Sequence, residues 1–461
     1  MKMKKSLLLV SSFLSLSALA GCSLTPGVSG DTLRVTVFGK SEEDTMYYLI
    51  DEYRKLPGNE EKKFVVYNAG DGVDSYVKNA FLNDDLCDVI QVFDFNCEYF
   101  TNHNNDGRGT SLLIPLTEFM QADGIREQDY FSSVIEMTKC RTNSDDMYWV
   151  PRDYNKVVCA YNKQLFDAAG VNYPQEGWTW TQFKQTLQAL KDNEEAMKIA
   201  VSRNPVYPAD LNLKWEAVHY PLLKSFGGEL IERSSETCFG DTTQKVTVAK
   251  EAYKVVLDLV KDGLIFTPPK DDKVPFTNKQ AAMMFITRPN LSNYIKGIGE
   301  GNIDFVSLPT YDTGLPEGSK SYIGMGCTGY GITTSCPKNR KDQAWDFLKF
   351  IFTEPGQNAF SASGNGVPCL KSLAYDENAI WRQYGVTESY HPHHEVFVAN
   401  EDRDLPMNFM KGFKTDSQLR IYNLIKAYLL HEFASNYKIS DAKYDEIVAK
   451  FKKQMEDTWK K

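Results

Sequence analysis

The sequence predicts an α/β protein of at least two domains, and three observations carry that expectation. Strand and helix patterns alternate in the order β-α-β-α-β through residues 33–93, and the third strand, 88–93 (DVIQVF), is a near-continuous apolar run of the kind buried in a parallel sheet. The chain is also 461 residues long, beyond the roughly 250 to 300 at which one hydrophobic core stops growing.

Each element has its own signal. Leu33, Val35 and Val37 alternate with polar residues as a strand does, and residues 42–55 follow as a helix closed by Pro57 and Gly58. Residues 64–67 (FVVY) form a second strand, 73–83 a second helix and 88–93 the third strand. Open α/β sheets bind ligands just beyond the carboxyl ends of their strands, which here are Phe38 to Lys40, Asn68 to Asp71, and Asp94 with Phe95. A second domain is expected from about Arg152, with a strand at 157–161 and helices at 165–169, 180–190, 215–226 and 250–261. The last two end at Gly227 and Gly263, residues that suit a left-handed helix stop. A strand at 305–308 leads into a glycine-rich segment, 322–334, then a helix at 342–352 and a mainly helical C-terminal third. Trp178 and Trp180 are assigned to core packing.

The N-terminus reads as an address. Lys2, Lys4 and Lys5 precede an apolar run of 14 residues, 7–20, too short to span a bilayer. Leu19-Ala20-Gly21-Cys22 resembles the bacterial lipobox, which implies a signal peptide over 1–21, lipidation of Cys22 and a lipidated tether over 22–30. Two or more acyl chains anchor stably where one is marginal. No later run reaches 18 apolar residues, so the remainder is expected as an extracytoplasmic body held at the cell membrane.

Composition narrows the function. A formal net charge of −9 argues against nucleic acid, which needs a concentrated cationic surface. Eight cysteines besides Cys22 contain no C-x-x-C pair; Cys87 with Cys97 and Cys327 with Cys336 are closest in sequence, and buried thiols are the expected state. Residues 324–329 (GMGCTG) satisfy G-x-G-x-x-G, but the pattern continues as strand and no helix opens within it, so a nucleotide is not expected. His391, His393, His394 and Glu395 read as a solvated loop, and Asn102 to Gly107 as a turn whose twelfth loop position is Leu113 where calcium needs a bidentate Glu. No cofactor or metal is expected. Asp94 and Asp153 raise a glycosidase, yet the sequence shows no G-x-S-x-G or H-E-x-x-H, and no enzyme is expected.

One block of residues resembles a known family. Tyr148-Trp149-Val150-Pro151, then 160–171 (AYNKQLFDAAGV), then Trp178-Thr179-Trp180 is similar in order and spacing to the maltose-binding-like, carbohydrate-directed extracellular solute-binding proteins of ABC importers. Gly227-Gly228-Glu229, Phe276 with Ala281-Ala282-Met283, Gly331-Ile332, 344–350 (AWDFLKF) and Gly366-Val367-Pro368 continue the match; Lys279 and Thr287 depart from it at positions where glycine is usual. The resemblance implies a two-lobed type II periplasmic-binding-protein fold with three hinge crossings near 150–156, 310–322 and 364–372. The N-terminal lobe would comprise 31–151 plus 322–364, and the C-terminal lobe 152–321 plus 365–461. It further implies a sugar or oligosaccharide ligand, delivery to ABC permease subunits, and a monomer. A non-sugar solute such as a peptide or polyamine is the alternative, with a glycan-acting enzyme behind it.

Sugar hydroxyls both donate and accept, so planar polar side chains and aromatic faces are the groups to seek. The candidates are Asp94, Arg152, Asp153, Tyr154, Asn155, Trp215, Tyr220, Arg288 and Tyr330, with Phe38 behind them. Trp215 reads equally as cleft wall or core, and Arg152 to Tyr154 also read as a salt-bridged hinge.

Overall fold

Thr32–Val37 is buried along nearly its whole length, including Thr36, whose hydroxyl bonds Tyr76 Oη at 2.8 Å. The alternation in its sequence therefore marks two buried faces, because the strand lies inside a five-stranded sheet and not at its surface. In this computed structural model that sheet runs Lys63–Asn68, Thr32–Val37, Val89–Phe93, Thr328–Ile332, Val150–Pro151. Its first three strands are parallel and Thr328–Ile332 is antiparallel to both neighbours. The structure describes most of residues 30–406 and part of 446–457, the longest internal exceptions being 102–110 and 267–274. The signal segment, Cys22 and the tether up to residue 29, and residues 407–445 lie outside the described residues, as does the turn expected at Asn102 to Gly107.

A second sheet runs Ile303–Val306, Val158–Asn162, Ala281–Ile286, Tyr207–Asp210. Successive side chains of a strand point to opposite faces. Val158 and Ala160 accordingly join one apolar cluster with Leu291, Ile295 and Trp381, while Cys159 and Tyr161 join another with Phe183, Leu187 and Leu259. Both faces of this sheet are thus covered. Each large apolar side chain buried in this way contributes about 1.5 to 3 kcal/mol of transfer free energy.

A third, smaller sheet links the two. It runs Asp404–Pro406, Ile323–Gly326, Asn155–Lys156, and the chain enters it after Pro151 of the first sheet and leaves it at Val158 of the second. Ile323–Gly326 makes the return passage, feeding directly into Thr328–Ile332. The glycine-rich motif is therefore two consecutive strands with no helix. Val367 and Cys369 accept backbone hydrogen bonds from Tyr154 (2.9 Å) and Phe131 (3.4 Å), and the third strand of the linking sheet comes later, at Asp404–Pro406.

The back of the linking sheet holds a buried ion pair. Lys156 Nζ lies 2.6 Å from Asp404 Oδ1, the two side chains being 1% and 3% exposed. Lys156 also donates to the Ala399 carbonyl at 2.5 Å, and Asp404 Oδ2 accepts from Tyr154 Oη at 2.6 Å and Ser133 Oγ at 3.0 Å. Burial works against both charges, pulling the lysine pKa down and pushing the aspartate pKa up.

Two expectations are corrected here. Cys97 and Cys140 form a disulfide, whereas Cys87, Cys159, Cys327, Cys336 and Cys369 are buried free thiols. The histidine-rich stretch is no simple solvated loop. His394 is 2% exposed and packs on Phe305, while only its neighbours reach water.

Candidate ligand site on the linking sheet

Arg152 leaves the first sheet just before the linking strand, and its guanidinium is held from several sides. Its two terminal nitrogens fork onto the Glu42 carboxylate, with Nη2 to Oε1 at 3.0 Å, and Nε donates to Asp153 Oδ2 at 3.3 Å. Nη1 also donates to Tyr330 Oη at 3.4 Å, and the Phe360 ring centroid lies 5.5 Å from the guanidinium carbon. Burial opposes the charge, but Glu42 and Asp153 outweigh it and hold the pKa above the ordinary arginine value.

Two carboxylates then take consecutive amides of the same passage. Cys327 N–H donates to Asp94 Oδ2 at 3.1 Å, and Thr328 N–H donates to Asp153 Oδ1 at 2.9 Å. Asp94 stands at the carboxyl end of Val89–Phe93, where an open sheet offers its loops to a ligand.

The second body approaches through the helix Glu216–Ser225, whose first residue follows Trp215 at the N-cap. That approach depends on glycine. A Cβ at position 324 would overlap the Ala217 carbonyl, and one at position 326 would sit 2.7 Å from Asp94 Oδ2. Residues two apart on a strand share a face, so the helix start at Glu216 and Ala217 and the Asp94 carboxylate come to the same side of the linking sheet from different bodies. Asn155 is paired with Gly326 across antiparallel strands, and such pairs also share a face. The front of the sheet therefore gathers Asp94, Asn155 and Glu216, while the back carries Lys156 and Asp404.

Of the residues chosen from sequence, Asp94 and Asn155 lie on this front face; Arg152, Asp153 and Tyr330 are bonded to one another beside it, Tyr330 being wholly buried, and half-buried Trp215 stands at the helix entry. Phe38 lies behind them, buried against Tyr76 and Phe93 with ring centroids 6.1 and 6.2 Å away. Three others face elsewhere. Tyr154 is fully buried, stacked on Phe131 at 4.0 Å with its hydroxyl on Asp404, because it points to the back of the sheet. Tyr220 is buried and donates to Glu229 at 3.2 Å. Arg288 is enclosed between Trp381 and Phe397, donating to the Trp381 carbonyl and bonded to His394 Nδ1 at 3.0 Å. Its contacts fasten residues 381–397 to the second body, and burial lowers its pKa to about 9 and that of His394 to about 3.

Sequence reading missed Glu42 and Glu216. Each sits in the first turn of a helix, where acidic residues are common for dipole reasons alone, so neither stood out. Glu216 has the more consequential environment. Burial pushes its carboxyl from 4.5 up to about 7, Asp94 adding to the rise and its own backbone N–H opposing it. A carboxyl with a raised folded pKa contributes stability that is complete below its unfolded pKa and lost as pH rises through the folded value. Glu216→Gln is therefore expected to raise stability at pH 8 by up to ~3 kcal/mol and to change it little at pH 4.5. Thermal unfolding of both proteins across that range checks it, and a variant less stable than wild type at pH 8 would contradict the assignment.

Comparison with known proteins gives a consistent picture. Residues 39–358 match the family model described as bacterial extracellular solute-binding protein. A binding protein of Brucella abortus is 26% identical over 236 residues, 49% of this chain and 52% of that one, so the chain spans about half the length of the curated relatives it matches. Among solved structures, the sugar-binding protein MalE of Xanthomonas citri superposes with a TM-score of 0.68 at 18% identity, covering 93% of this chain and 97% of that one. A Listeria monocytogenes ABC substrate-binding protein in complex with cycloalternan gives 0.65 at 15% identity over 93% and 98%. UgpB of Mycobacterium tuberculosis, in complex with glycerophosphocholine, gives 0.68 at 15% over 94% and 98%. The fold is the two-bodied type II periplasmic-binding-protein fold of these neighbours.

Proposed function

The chain belongs to the bacterial extracellular solute-binding proteins, and from that premise we propose that it captures a sugar or oligosaccharide over the linking sheet and delivers it to an ABC importer. The observation that carries this reading is the front face itself, where Asp94 and Asn155 set planar polar groups beside the fixed Arg152–Asp153 fork, with half-buried Trp215 at the helix entry. Such groups match hydroxyls in both donor and acceptor roles, and the indole covers a ring face. One structural neighbour described as a sugar-binding protein and another in complex with cycloalternan support it.

In this reading the lobes are 31–151 plus 322–364 and 152–321 plus 365–461, joined through the linking sheet, and they close on ligand because contacts to both exist only in the closed state. The protein is a monomer that binds its solute without turning it over. Cys22 carries the lipid that tethers it to the outer face of the cell membrane.

Calorimetric titration against a carbohydrate panel tests the binding. Trp215→Ala is expected to weaken a bound sugar by roughly 1 to 3 kcal/mol with little loss of fold stability, the order expected for losing a large aromatic contact. Unchanged affinity would move the site off this face. Small-angle scattering should show a smaller radius of gyration with saturating sugar. For the anchor, wild-type protein made in a bacterium should partition into detergent and Cys22→Ala into the aqueous phase; equal partitioning would remove the lipid from the account.

A further inference from the structure

The front face of the linking sheet is rich in acceptors. Asp94 and Glu216 reach it from opposite bodies, and the Asp94 charge is close enough to be felt by the Glu216 carboxyl. Asn155 lies on the same face by register, is 8% exposed, and its Oδ1 has no hydrogen-bond partner. Arg152, the guanidinium at this face, is already matched twice, by Glu42 and by Asp153. A buried acceptor without a donor keeps its full desolvation penalty, so a face holding one beside two carboxyl groups is complementary to a group that only donates.

At the spot between Asp94 and Asn155 a neutral hydroxyl can use only its one donor, its two lone pairs going unmatched there. An ammonium brings three donors, no acceptor and a positive charge. We propose that this floor receives a protonated alkylammonium group of the ligand, which makes the captured solute an amino sugar or another primary amine. The proposal rests on the ligand site being the front face described above. Glu216 and Asp94 then act as specificity residues, clamping the ammonium from both bodies and so favouring closure on amine-bearing solutes.

The test uses full-length protein and three disaccharides of one β-1,4 skeleton that carry an amine, an acetamide or a hydroxyl at C2, with spermidine as an ammonium that is no sugar. Calorimetry at neutral pH should find the amine form bound about tenfold or more tightly than the other two, as charge-assisted bonds replace neutral ones. That preference should collapse in Glu216→Gln, which keeps the side-chain volume, and in Asp94→Asn. If Asp94→Asn fails to fold, Glu216→Gln alone decides. Equal or tighter binding of the hydroxyl or acetamide form overturns the inference and leaves the sugar reading standing. A preference that survives Glu216→Gln overturns it too, as does failure of every amine to bind at millimolar concentration. Spermidine bound in a Glu216-dependent way while all three disaccharides fail supports the ammonium site and overturns the sugar reading.

Discussion

Lys156→Met is expected to lower stability by about 3 to 5 kcal/mol, because it removes one half of an ion pair that is almost wholly buried and leaves the Asp404 carboxylate facing Tyr154 and Ser133 alone. The second change that should rescue it follows from the same physics. Burial disfavours both charges here, so the double variant Lys156→Met/Asp404→Leu should recover most of the loss, an apolar pair of similar volume often being neutral or better. The loss in the single variant should also shrink as pH falls, since protonating Asp404 relieves the stranded charge. Urea unfolding of the three variants checks this, read as midpoint shifts at constant slope. A single variant as stable as wild type would mean the pair is not buried as described.

Breaking the Cys97–Cys140 disulfide should cost a comparable amount. Its partners are 43 residues apart, and releasing a closed loop of that length returns conformational entropy to the unfolded chain worth roughly 4 kcal/mol. The double variant Cys97→Ala/Cys140→Ala is expected to lose that stability under oxidising conditions, and wild type to lose it on addition of a reductant. Equal unfolding midpoints with and without reductant would show that the bond does not form.

Neither feature was legible in the sequence, for a shared reason. Strand and helix placement is local: the alternation of Leu33, Val35 and Val37, the apolar run at Val89–Phe93 and the glycine after 250–261 each act within a few residues, and the elements form where those signals lie. Pairings such as Lys156 with Asp404 or Cys97 with Cys140 depend on which strands become neighbours, and no local pattern encodes that. The site shows both kinds of information in adjacent residues. Arg152, Asp153, Tyr154 and Asn155 all looked suitable by chemistry and by their place after a hinge proline, but a strand sends neighbouring side chains to opposite faces. Asn155 therefore faces front while Tyr154 and Lys156 serve the back. Arg288 went astray for another reason: an arginine enclosed by Trp381 and Phe397 has no sequence signature, since its partners lie about a hundred residues downstream.

The order of strands in the first sheet has a consequence for how the chain assembles. Thr328–Ile332 sits between Val89–Phe93 and Val150–Pro151, so two strands made early are joined only by one made late. A chain emerging N-terminus first must release the whole of the second sheet, through Ile303–Val306, before the first can be completed. Until then Val89–Phe93 offers an unpaired apolar edge, and pairing across so long an intervening segment is slow. The body that begins the polypeptide thus cannot finish folding until residue 332 has been made, and a nascent or truncated chain ending before residue 328 should be prone to aggregation and open to proteases.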